Sequence, residues 1–310
     1  MRVFLAGATG AIGRPLVDRL LADGHEVVGT TRDPARADAL RARGVEPVVV
    51  DAYDAEATRA AVVAARPEVV IHQLTSLPRD PRQMAGAVAE NARLRRETVP
   101  TYVEAARAAG ARRIIAQSIS FVTKPDGRPI HDETAPLYHG APGQEVNIEG
   151  VAALEDAVAA AGDDLDGLVM RYGFFYGPGT WYDRDGAMGT MIAKRRFPIV
   201  GSGEGRSSFV HVDDAVDATV RALEDRVPPG VYNITDDEPM RAKDWIPAAA
   251  EALGAKPPRR APALVAGRLA GPVLVHYHTT LPGNSNAKAR AAMPGWSPRP
   301  LRQGFVEVFA

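Results

Sequence analysis

The chain has 310 residues, 45% of them hydrophobic and 24% charged, and its 37 basic and 38 acidic side chains leave a formal net charge of -1. That composition is ordinary for a soluble globular chain with one large or two smaller cores, and it gives no electrostatic reason to expect nucleic acid or an anionic membrane as partner. The lack of cysteine excludes disulfides, thiolate metal sites and a cysteine nucleophile; no metal site is expected, and a reducing cytoplasm is the expected setting.

The first apolar run, Met1 to Ala6, reads as a buried strand and opens directly into Gly7-Ala-Thr-Gly10-Ala-Ile-Gly13. Its short length argues against a signal peptide, and no later stretch has the eighteen or so apolar residues of a membrane span. A strand that ends in glycines and turns at once into a helix is a phosphate cradle. Gly7 allows the tight turn, Gly10 lets backbone approach a pyrophosphate, and Gly13 lets the helix lie against the sheet. Ile12, Leu16 and Leu20 mark the inner face of that helix, whose N-terminus favours an anion.

Strand and helix then alternate. His25 to Thr31 is the second strand, Asp33-Pro34 starts a helix that ends near Gly44, and Val45 to Val50 is the third strand. Asp54 caps the next helix, and Val69 to Leu74 is strand four. A long helix from about Met84 to Ala109 ends at Gly110 and is expected to kink or break at Pro100. Arg113 to Gln117 is strand five. Residues 119–144 form a long connection, which after a strand's carboxyl end is often part of a site. Glu145 to Ala161 is a helix and Leu168 to Tyr172 the sixth strand. Next come an aromatic and glycine-rich stretch, Phe174 to Tyr182, and a helix over Gly186 to Arg196. Ser208 to Val212 is a strand, Asp213 is the expected N-cap of the helix Asp214 to Leu223, and Gly230 to Ile234 is one more strand. The remainder is proline-rich and mostly helical. Near-continuous apolar strands alternating with helices predict an α/β fold with a doubly wound parallel sheet covered on both faces.

Five stretches in register, Gly7 to Gly13, Arg171-Tyr-Gly-Phe-Phe-Tyr-Gly-Pro-Gly179, Phe209-Val-His-Val-Asp-Asp214, Gly230-Val-Tyr-Asn233 and Asn286-Ala-Lys-Ala-Arg290 before Gly295-Trp296, make the chain resemble the extended short-chain dehydrogenase/reductases, the group of the NAD-dependent epimerases and dehydratases. The resemblance implies a Rossmann-type domain over residues 1–174 and 203–234 and a smaller, mostly helical substrate domain over 175–202 and 235–310. It places Gly7, Thr9, Gly10, Ala11, Ile12, Gly13, Asp51, Ala52, Gln73, Leu74 and Ser118 against the cofactor, and Ser118 or Ser120 beside the nicotinamide. Strand two is followed by Arg32 and not by a carboxylate, and arginine there suits the 2'-phosphate of NADP, so NADP is expected over NAD.

The family's chemistry rests on Tyr-x-x-x-Lys, one helical turn apart on the helix after strand five. None of the eight tyrosines has lysine four residues later. With Glu155 as the family's helix glutamate, the two positions fall on Asn147 and Val151. Tyr138 then becomes the expected proton donor, with Asn147 orienting substrate. His139 and Glu149 are further loop and helix candidates. Phe174, Trp181, Tyr182, Arg184 and Arg206 are the expected substrate contacts. Phe174 stands where many sugar-nucleotide enzymes have asparagine, which favours a less polar, aromatic or polyketide-like small molecule. The expectation is an atypical NAD(P)-dependent reductase or epimerase acting on a carbonyl or hydroxyl. A non-redox lyase, isomerase or cyclase and a dinucleotide-sensing protein stay open as alternatives. A homodimer through the helices at 84–109 and 145–161 is the expected assembly.

Overall fold

The computed structural model describes residues 1–78 and 83–310. Its centre is a seven-stranded sheet in the order β3-β2-β1-β4-β5-β7-β12. These strands are β1 (Arg2–Ala6), β2 (Glu26–Thr31), β3 (Glu46–Val49), β4 (Val69–His72), β5 (Arg113–Ile119), β7 (Asp166–Tyr172) and β12 (Gly230–Ile234), and every pairing is parallel. Val3, Phe4, Leu5, Val69, Val70 and Ile71 are fully buried, so both faces of the central strands are covered. The expected doubly wound α/β architecture is therefore the observed one.

Alternating residues of one strand feed different cores. Val3 and Leu5 pack with α1 (Gly13–Ala22) and α7 (Val212–Arg221) on one face. Phe4 and Ala6 pack on the other with α3 (Ala55–Ala65), α4 (Met84–Ala108) and α5 (Glu145–Ala159), while α2 (Pro34–Ala42) covers the β2–β3 edge. Asp33 and Asp54 cap their helices as expected, accepting from Ala35 N–H and Ala57 N–H at 3.0 Å each. Helix α4 runs through Pro100 without ending there. Burial of Val99, Tyr102 and Val103 around the proline holds the helix where local propensity alone would break it.

Helices α4 and α5 touch at backbone distance, since a Cβ on Gly150 would sit 2.5 Å from the Ala92 Cα. One correction concerns α7. Its N-cap is His211, whose Nδ1 accepts from the Asp213 N–H at 3.1 Å, so Asp213 lies in the first turn and not at the cap. A buried imidazole on the preceding strand performs the role that local sequence assigns to the carboxylate.

The remaining strands form four two-stranded pairs among the described residues. They join β6 (Ile130–His131) to β15 (Gly283–Asn284), β8 (Phe174–Tyr176) to β11 (Phe209–His211), β9 (Ile199–Val200) to β14 (Arg260–Ala261) and β10 (Arg206–Ser207) to β13 (Met240–Arg241). The further helices are α6 (Ala187–Ala193), α8 (Ala242–Ala252), α9 (Ala263–Ala270), α10 (Pro272–Thr279), α11 (Ala287–Ala292) and α12 (Leu301–Phe309), and residues of β8, β9, β11, α6, α8 and α12 build a third core around Trp245, Phe209 and Phe305. This layer stands at the carboxyl ends of β5 and β7.

Candidate active site

Sheet order reverses between β1 and β4, the crevice where α/β sheets bind ligands. The glycine turn lies in that crevice. Gly7 has φ +94°, and a Cβ there would come within 2.7 Å of the Gln73 carbonyl oxygen. A Cβ on Gly13 would lie 2.0 Å from the Gly7 carbonyl oxygen. Both positions therefore require glycine, whereas Gly10 and Ala11 are exposed at the mouth of the turn. Among the described residues no side chain caps α1; the Arg14 N–H is spent on the Gly10 carbonyl at 3.1 Å and Pro15 has none, so the N–H groups of Ile12 and Gly13 are those left for an incoming anion. This cradle fits a dinucleotide diphosphate, which Thr9, Gly10, Ala11 and Ile12 would border, and the Gly7 N–H is tied to the Thr30 hydroxyl at 3.2 Å.

Other expected cofactor residues flank the turn. Arg32 is exposed just past β2 and carries no ion pair among the described residues. Asp33 is committed to the helix cap. Asp51 is exposed, its Oδ1 accepts from the Tyr53 N–H at 3.1 Å, and Ala52 beside it is half-buried. Gln73 is buried and donates to the Tyr172 hydroxyl at 3.0 Å, its Oε1 has no partner among the described residues, and Leu74 follows it half-buried. Burial pushes the Tyr172 phenol up to about 12.

The two serines separate. Ser118 is fully buried and donates to Glu155 Oε1 at 2.9 Å, and the same carboxylate receives Arg171 through bonds of 2.8 and 2.6 Å. That buried network ties α5 to β5 and β7 and occupies the Ser118 hydroxyl, which was expected beside the nicotinamide. Ser120, just past the end of β5, is also buried, but its hydroxyl has no partner among the described residues. A buried hydroxyl at a strand's carboxyl end is a group that a bound polar atom would satisfy.

Beyond Ser120 the wall is aromatic. Phe121 stacks on Phe174 with ring centroids 4.1 Å apart, and Tyr277 from α10 meets both edge-on at 5.9 and 5.6 Å. Tyr182 meets Phe174 at 6.5 Å, and the Trp181 indole donates to the Pro78 carbonyl at 2.9 Å, bridging to the segment after β4. Phe174 and Tyr182 are thus in aromatic contact, with Trp181 next to Tyr182 in the chain. Arg184 is not part of this wall. Its guanidinium, expected at the substrate, donates instead to the carbonyls of Phe309 and Ala310 on α12 and just after it. Arg206 donates to the Pro239 carbonyl at 3.1 Å and lines a separate cleft of about 490 Å³ with Ile130 and Met240.

On α5, the expected lysine position, Val151, is fully buried in a small core with Val122 and Ile148. Tyr138 packs partly buried against that core and against His276, centroids 5.6 Å apart. His139 and Glu149 are exposed. Asn147, at the tyrosine position, accepts from Arg95 Nη1 at 2.8 Å and donates to Gln144 Oε1 at 3.1 Å. Gln144 in turn donates to the Tyr277 hydroxyl at 2.9 Å. Arg95, Gln144, Tyr277 and Phe121 escape sequence reasoning. No local pattern links residues on α4, α5 and α10, and only the place of Phe121 directly after Ser120 offered a signal.

Residues 3–235 match the NAD dependent epimerase/dehydratase family. The chain belongs to this family. It is 50% identical over 301 residues to a 3-diazoavenalumate denitrifying reductase of Streptomyces sp, covering 96% of each chain. Among solved structures, human epimerase family protein SDR39U1 (isoform 2) with NADPH superposes with a TM-score of 0.78 at 20% identity, over 100% of this chain and 99% of that one. A UDP-glucose 4-epimerase of Thermus thermophilus in complex with NAD gives a TM-score of 0.74 at 24% identity, over 100% and 98% of the two chains. The fold is thus that of NAD(P)-binding members, with both cofactors represented among the similar structures. No described helix is long and apolar enough to cross a membrane.

Proposed function

We propose that this chain is an NADPH-dependent reductase that removes the diazo group of a small aromatic compound as dinitrogen. The observation that carries this reading is the filling of both proton-transfer positions on α5. Val151 is sealed in a core and Asn147 is held by Arg95. Reduction of a carbonyl needs a proton for the developing alkoxide. Replacing an aromatic diazonium by hydrogen does not. One hydride forms the new C–H bond, the C–N bond breaks, and its electron pair leaves with dinitrogen. A reduced nicotinamide cofactor, held by its diphosphate at the glycine turn, would supply that hydride.

The chain's own residues then have three tasks. The stacked Phe121 and Phe174, with Tyr182 and Tyr277, offer flat apolar faces to an aromatic ring and exclude water from it. Ser120 offers its unpaired hydroxyl to a polar group of the substrate. The glycine turn and α1 hold the diphosphate. The similarity to a denitrifying reductase that acts on a diazo compound supports the choice of acceptor. Preference for NADP is supported by an exposed Arg32 where NAD-specific members of this fold usually place a carboxylate, while Asp33 is occupied at the cap.

The deciding experiment mixes the protein with NADPH and 3-diazoavenalumate and follows cofactor fluorescence together with dinitrogen in the headspace. Stoichiometric loss of NADPH and release of dinitrogen is the expected result. Cofactor oxidation without dinitrogen, or no oxidation at all, rejects the reading.

A further inference from the structure

The chain of hydrogen bonds from Arg95 to Tyr277 has a direction, and one group fixes it. Arginine has donors only, so the Asn147 atom facing it must be the carbonyl oxygen. Asn147 therefore points its amide N–H₂ at Gln144, which must answer with its own carbonyl oxygen. Gln144 is then left with its N–H₂ toward the Tyr277 oxygen, which accepts. The phenol proton of Tyr277 is thereby freed, since Tyr277 makes no other side-chain hydrogen bond among the described residues. Two amide dipoles stand head to tail between a cation and a phenol.

The cation is buried. Arg95 is 7% exposed, and desolvation lowers it to about 10, so it stays charged at neutral pH. The phenol stands in the aromatic wall, in edge contact with Phe121 and Phe174. Burial pushes Tyr277 up to about 12, and the bond from Gln144 pulls the other way. Keeping a charged guanidinium in this place costs free energy. Its one side-chain hydrogen-bond partner among the described residues is the amide that starts this relay.

We infer that Tyr277 is a hydrogen-bond donor to a substrate oxygen, a phenolate or quinone-like oxygen conjugated to the reacting group, and that Arg95, Asn147 and Gln144 are positioning residues that hold its proton outward. The choice of reacting group rests on the denitrifying reading; the binding of the oxygen does not. Donation to that oxygen draws electron density from the ring and gives a conjugated diazo group more diazonium character, making it a better hydride acceptor. No proton is transferred in the step, so its balance is unchanged.

The test uses 4-nitrophenolate as probe, bound to the NADP-loaded protein and read by its absorption band. Wild type is expected to bind it with a shifted band, and Tyr277→Phe to weaken it by about tenfold to a hundredfold, the worth of a charged hydrogen bond. Asn147→Asp gives the sharper result. A carboxylate still accepts from Arg95, but it forces Gln144 to donate toward it and to present its carbonyl to Tyr277, so the phenol proton turns inward. Shape is kept and the bond from Arg95 becomes an ion pair, yet probe binding is expected to fall as in Tyr277→Phe, with melting temperature and NADP affinity maintained. A merely structural role for Asn147 predicts no loss. Fluorotyrosines at position 277 should bind the probe more tightly as the phenol becomes more acidic. No binding by wild type, equal binding by either variant, or a flat response to phenol acidity overturns the assignment. Should the probe behave as expected while 3-diazoavenalumate is not reduced, the denitrifying reading falls and Tyr277 keeps its role.

Discussion

Single side chains decide three properties of the protein. Asn147 shows how position and role come apart: it stands where the family's tyrosine is expected, yet its bonds lead to Arg95 and Gln144. Arg32 carries the proposed NADP preference. Arg32→Ala is expected to weaken NADP binding by about 1.5 to 3 kcal/mol, the worth of a charge-assisted bond, and to leave NAD almost untouched; calorimetric titration of both cofactors separates the two. His72 is fully buried, its Nε2 within 2.9 Å of the Thr98 hydroxyl, and desolvation lowers it from 6.5 to about 4. The folded state therefore holds the neutral imidazole while the unfolded chain protonates first. Its contribution is complete above about 6.5 and is lost as pH falls through 4, on the order of 3 kcal/mol. Denaturant unfolding between pH 7 and 4.5 should show that slope, reduced in His72→Gln; identical slopes contradict it.

At the scale of elements, the β1 turn and α1 act as one unit because backbone meets backbone. Gly13→Ala would drive a Cβ to 2.0 Å from the Gly7 carbonyl oxygen. We expect a destabilisation of about 1 to 3 kcal/mol by overpacking together with lost cofactor binding. At Gly10 the nearest atom to an added Cβ is 3.3 Å away. Gly10→Ala should keep the fold and lose dinucleotide affinity alone. Thermal melts beside NADPH titrations distinguish the two, and equal stability loss in both variants would contradict the assignment of Gly10 to ligand approach. The turn was legible in the sequence because its signal is local. The cap of α7 was not: two neighbouring carboxylates and an imidazole compete for it, and the orientation of β11 gives it to His211.

Across the whole molecule, the aromatic core of the carboxyl-end layer supports the substrate wall. Phe305 on α12 is 1% exposed and meets Tyr176 at 5.5 Å and Phe209 at 5.7 Å. Phe209 in turn meets Phe174 at 5.6 Å and Tyr182 at 5.1 Å. Phe305→Ala is expected to cost about 3 to 5 kcal/mol. It should also loosen binding of 4-nitrophenolate while leaving the affinity for NADP unchanged, because the glycine turn packs in a different core. Equal loss of both ligands would show that the two layers are not separable in this way.

Neighbouring residues, or a spacing of one helical turn, were enough to specify the parallel sheet, the glycine turn at its switch point, the aromatic character of the Phe174 to Tyr182 segment and the missing tyrosine and lysine. Where the polar groups are spent depended on the packed chain. Folding commits Ser118 to Glu155 and Arg184 to the C-terminus, and it joins Gln144 to Tyr277 across 133 residues. A hydrogen bond is directional and exclusive within a few ångströms, so its partners are fixed by how helices stack and not by which residues adjoin in the chain.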